Sequence, residues 1–131
     1  MKGAPPADRS VTLYRQDEPL RAVATLSLRT DGTIRLHSFD TASAFWGGGD
    51  YEFWIELAPP AQAKLCAVLL AELTPRERTE FDARHIVAVP DLAFALLEEK
   101  YRDEMGAVAD LTELCKREAI PHKFDSAVRY G

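Results

Sequence analysis

Eight residues constrain this chain more than any others: Asp50 to Leu57, DYEFWIEL. They alternate strictly. Tyr51, Phe53, Ile55 and Leu57 fall on one side, and Glu52, Trp54 and Glu56 on the other. Side chains of an extended strand point to opposite faces in turn, so the first set predicts a core face and the second an outward one. Aromatic and β-branched residues suit such a surface. Trp54 is the odd member, a large aromatic standing outward between two carboxylates. Upstream, Gly47-Gly48-Gly49 admits backbone angles closed to other residues, and Phe45 and Trp46 precede it. The wider stretch Phe39 to Leu57 holds both tryptophans and three of the six phenylalanines.

More strands come before this one. Val11 to Gln16 reads as a short edge strand with Val11 and Leu13 on one face, ended by Asp17-Glu18-Pro19. Leu20 to Arg29 alternates, with Leu20, Ala22, Ala24, Leu26 and Leu28 together. Thr33 to Phe39 follows, with Ile34 and Leu36 aligned. The turn between them fixes the register. A two-residue Asp31-Gly32 loop would set Leu28 opposite Arg35 and mix the faces. A three-residue loop, Thr30-Asp31-Gly32, pairs Arg29 with Thr33, so Leu28 meets Ile34 and Leu26 meets Leu36. Gly32 then takes the left-handed position of a bulged turn. The outer face gathers Arg21, Arg29, Arg35 and His37 beside Glu52, Trp54 and Glu56, an opposite-charge pattern suited to solvent.

Helices take over after Pro59-Pro60, since proline fits a first helical turn. Ala61 to Leu73 carries a wide apolar stripe, with Leu65, Cys66, Leu69 and Leu73 recurring at three- and four-residue spacing and Val68 and Leu70 at its margins. Thr74-Pro75-Arg76-Glu77 has the form of a capping box and opens a second helix that buries little beyond Phe81. Pro90-Asp91 restarts the pattern through about Asp103. Gly106 interrupts it, and Ala107 to Ala119 is the last helix. From His122 to Tyr130 the chain either adds a strand or lies across the core. Strands followed by helices imply an α+β fold. The expected form is an N-terminal antiparallel β-meander with three to four helices on one face. Residues 1–10 read as a flexible tail and 11–131 as a single domain.

Composition narrows function by exclusion. A net charge of −5 argues against nucleic acid bound by phosphate neutralisation. No apolar run approaches the ~20 residues of a membrane span. The N-terminus has no signal-peptide core, so a cytoplasmic location is expected. Cys66 and Cys115 lie among apolar residues, as buried free thiols do. His37, His85 and His122 stand at no metal-ligand spacing, and no serine sits in a nucleophile signature. The triple glycine precedes a strand headed by Asp50, whereas phosphate loops precede a helix. Neither a catalytic set nor a cofactor or metal site is expected.

The run FDTASAFWGGGDYEFWIEL, a leucine-rich helix after it and a late IPHKF resemble a group of small bacterial proteins. Some of that group are similar to immunity proteins of polymorphic or contact-dependent toxin systems. The resemblance implies a non-enzymatic protein that binds one protein partner, such as a basic toxin domain, and occludes its active site. It carries over no functional residues. The residues themselves nominate the surface: Trp46, Asp50, Glu52, Trp54 and Glu56, because large aromatics anchor interfaces. The same face also suits a homodimer. A second expectation of another class is a small-molecule binder or enzyme with the Asp40–Asp50 loop as a pocket rim.

Overall fold

In the computed structural model, residues 8–18, 21–41 and 49–130 are described. The expected α+β architecture is present. Five strands, β1 (Arg9–Gln16), β2 (Ala22–Leu28), β3 (Ile34–Thr41), β4 (Gly49–Leu57) and β5 (Lys123–Tyr130), form one antiparallel sheet in sequence order. Four helices come between β4 and β5: α1 (Pro59–Glu72), α2 (Pro75–Asp82), α3 (Val89–Tyr101) and α4 (Ala107–Arg117). The final extended segment is therefore a strand, paired along β4.

The turn between β2 and β3 adopts the register that keeps apolar residues together. Leu28 faces Ile34 and Leu26 faces Leu36. The Arg29 amide donates to the Thr33 carbonyl at 2.9 Å, and Gly32 has φ +88°. Only glycine takes that angle without strain. The far side of the turn is held by Gln62 of α1, whose side chain is fully buried. Its Nε2 donates to the carbonyls of Gly32 at 2.7 Å and Leu57 at 2.9 Å. One amide group thus satisfies two backbone acceptors where the hairpin meets the first helix.

Two expectations need correction. The strand β1 starts at Arg9, inside the segment read as a tail; residues 1–7 lie outside the described ones. Its ladder also slips between Thr12 and Tyr14. Simple alternation fails there because a bulge inserts one residue and re-aims its neighbours. Leu13 is buried, Val11 and Tyr14 pack beside it, and the Leu13 carbonyl accepts from the Asp103 amide at 2.7 Å. Leu20, placed by alternation on the core face, lies outside the described residues.

All the helix packing falls on one side of the sheet. The helix α3 lies over β1 and β2, α4 over β3 and β4, and α1 packs on α3. Between them Leu26, Ile34, Leu36, Ile55 and Leu57 are fully buried. Each such side chain is worth roughly 1.5–3 kcal/mol of burial. The capping box of α2 forms as expected, with Thr74 and Glu77 exchanging hydrogen bonds. That helix buries only Phe81.

Candidate functional site

The side of the sheet opposite the helices carries Asp50, Glu52, Trp54 and Glu56 in one row along β4, as strand parity requires. Four of the five nominated residues thus share one face. The fifth, Trp46, lies outside the described residues, as do Phe45, Gly47 and Gly48. Trp54 sits on the fourth of five strands, paired with His37 on one side and Asp125 on the other. It is half-buried by its neighbours. The His37 ring is tilted against the indole with centroids 6.2 Å apart. The Arg35 guanidinium lies over it at 5.0 Å.

Glu56 has cationic neighbours on this face, and Glu52 has an imidazole. Glu56 stands 3.4 Å from Arg29 and 3.8 Å from Arg35, and Glu52 stands 3.6 Å from His37. The face therefore sets cationic and anionic side chains side by side around an indole. Cross-strand pairing explains this, because the register sets Arg35 opposite Glu56 and His37 next to Glu52. These three contacts are long beside the ~2.8 Å of a charge-assisted hydrogen bond. The Arg35 Nε is buried and has no hydrogen-bond partner. Burial pushes the His37 pKa down, and that outweighs the upward pull of Glu52. His37 near neutral pH is accordingly a polar neighbour of Glu52 rather than a counter-ion.

Catalytic alternatives find little geometry. Asp40 and Asp50, the two ends of the proposed pocket rim, emerge on opposite sides of the sheet. Asp40 pairs with Ala22 and Tyr51 on the helix side, while Asp50 shares the open side with Glu52. They form no carboxylate pair. Burial pushes both cysteine thiols up to about 11, so neither is a ready nucleophile. Tyr101 donates to Asp110 at 2.6 Å, and burial with that carboxylate holds its phenol above the ordinary range. Among the described residues, no group of three or more His, Cys, Asp or Glu is placed to hold a metal ion. No described helix is long and apolar enough to cross a membrane.

Periodicity did not single out Gln62, a polar residue inside an apolar stripe. It also missed the end of the helix-facing side at Ser38, Asp40, Phe53 and Phe124. A signal was present, since the inward face of β3 runs Ile34, Leu36, Ser38, Asp40 and turns polar halfway. Against protein-family models, curated proteins and solved structures, the chain has no match.

Proposed function

We propose that this chain is a non-enzymatic protein-binding module that docks one protein partner on the open face of its sheet. The observation that carries the reading is Trp54, a half-buried indole between Glu52 and Glu56 on a face that no helix among the described residues covers. Tryptophan is over-represented among the side chains that dominate binding energy. The Arg29–Glu56 and Arg35–Glu56 ion pairs, at 3.4 and 3.8 Å, are loose enough to be exchanged for a partner's groups. An indole ringed by exchangeable charges gives an apolar anchor with a polar rim.

Following the resemblance to immunity proteins, the partner we put forward is a toxin domain whose active site this face occludes, in the cytoplasm of the producing cell. The chain's net charge of −5 favours encounter with a basic partner. With Glu56 already neighboured by Arg29 and Arg35, specificity would come from Trp54 and re-pairing at Arg35 rather than from bare negative charge.

The test is to look for a secreted toxin among the genes beside this one and to ask whether this chain rescues cells that express it. Wild type should restore growth and co-purify with the toxin, and Trp54→Ala should do neither while keeping its fold. No protein partner, together with wild-type behaviour of Trp54→Ala in cells, would end the reading. A homodimer through the same face would show as a doubled mass in light scattering, lost in Trp54→Ala.

A further inference from the structure

The helix-facing side of the sheet has two unlike ends. Near the β2–β3 turn it is filled by the core. At the other end the helical layer stops short, and a cleft of about 540 Å3 opens between the sheet and α4. That volume lies in the range of small-molecule sites. Its walls are apolar. Of the five large hydrophobic side chains exposed among the described residues, three line it: Phe53 at 36%, Met105 at 52% and Phe124 at 49%. Exposed apolar groups gathered at one concavity mark a binding surface in a way that scattered ones do not. Phe53 and Phe124 stack with centroids 6.5 Å apart, and Phe53 stacks on Tyr51 at 6.4 Å. Val108 of α4 closes the opposite wall.

The polar groups are few. Ser38 and Asp40 come from β3, where parity turns them inward. Glu113 and Lys116 stand on α4 at the rim. Those two rim charges cancel. The remaining charge is Asp40, whose carboxylate makes no hydrogen bond or ion pair with another described residue. A carboxylate beside aromatic rings attracts a cation twice over, by charge and through the ring quadrupoles.

We propose that this cleft binds a small organic ammonium ion, its aromatic or alkyl body against Phe53, Phe124, Met105 and Val108 and its ammonium facing Asp40. The site lies on the opposite side of the sheet from Trp54. It is independent of the docking face, and the two tests share no residue.

Three probes of one shape separate body from charge: phenethylammonium, phenethyl alcohol and hydrocinnamate, each titrated calorimetrically into the full chain. The ammonium should bind about tenfold tighter than the alcohol, and the acid weakest. Asp40→Asn should bring the ammonium down to the level of the alcohol without altering the alcohol. Phe53→Ala should weaken all three. Amide NMR shifts in the wild type should cluster on β4, β5 and α4 around the cleft, and this map decides the matter even where a variant loses its fold. The proposal is overturned if none of the probes binds or if the alcohol or acid equals the ammonium. It is equally overturned if Asp40→Asn keeps the preference, or if the shifts fall around Trp54.

Discussion

The two faces of this sheet are made by the same strands and obey different physics. On β4, Ile55 and Leu57 are completely buried, while Glu52, Trp54 and Glu56, their neighbours in sequence, are half-exposed among charges. One face is held by exclusion of water and close packing. The other carries the Arg29–Glu56 and Arg35–Glu56 pairs, 3.4 and 3.8 Å apart, which water can replace. A chain built this way separates its packed face from its charged one by parity. Odd-numbered residues of β4 hold the fold towards the turn end, and even-numbered ones stand on the side away from the helices.

The contrast breaks most easily at its buried side. Leu36 is fully buried between Leu26 and Ile55. Leu36→Ala should cost about 2–5 kcal/mol in urea denaturation, because a cavity adds to the lost transfer energy. Arg35→Ala, one residue away on the open face, should cost under about 1 kcal/mol. Similar losses at both positions would mean that the open face is covered in solution.

Gln62 sharpens the contrast from within the core. Its amide links the Gly32 and Leu57 carbonyls, and its Oε1 is itself buried without a partner. Gln62→Ala strands two acceptors and should cost about 1–3 kcal/mol. Gln62→Leu keeps the volume but strands the same carbonyls, so it should be no milder. If Gln62→Leu proved neutral, the hydrogen bonds at this corner would contribute nothing and packing alone would hold the turn.

The sheet was legible in the sequence because parity is a rigid rule. The Leu28–Ile34 and Leu26–Leu36 register followed from requiring apolar residues to meet, and the capping box at Thr74 from residue types at fixed spacing. Three things were not legible. The bulge at Leu13 leaves no mark in a pattern of alternating residues. Gln62 resembles any polar residue on a helix until its two acceptors are brought to it by β2, β3 and β4. The cleft depends on where α4 stops relative to β3 and β5, a tertiary distance that strand parity does not encode. For the same reason Phe53, assigned to the core by alternation, is on the predicted side of the sheet yet 36% exposed. Of the residues nominated for docking, parity put Glu52, Trp54 and Glu56 on the side of the sheet opposite the helices.

Trp54 itself should matter little to the fold. Its contacts with His37 and Arg35 are of kinds worth about 1 kcal/mol or less on an exposed sheet. Trp54→Ala should therefore lower the denaturation midpoint only slightly, with an unchanged slope. Its effect on partner binding should be far larger, about 2 kcal/mol or more for an anchor. A Trp54→Ala protein that unfolds would place the indole among the stabilising groups and remove it from the recognition surface.

The smallest effect is a pH dependence at His37. Burial lowers its pKa below the ordinary 6.5, with Arg35 pushing the same way and Glu52 opposing both. The unfolded chain therefore takes up this proton before the folded one as pH falls. The stabilisation from a neutral His37 is present in full above the unfolded value and is lost as pH drops through the lower folded value. His37→Gln removes the titration while keeping a polar side chain beside Trp54. Wild type and His37→Gln should run parallel in denaturation midpoint above pH about 6.5 and diverge below it, with wild type losing stability faster. Divergence in the opposite sense, with wild type gaining on acidification, would mean that Glu52 outweighs burial. The open face would then carry a true His37–Glu52 ion pair, and its charge lattice would tighten in acid instead of loosening.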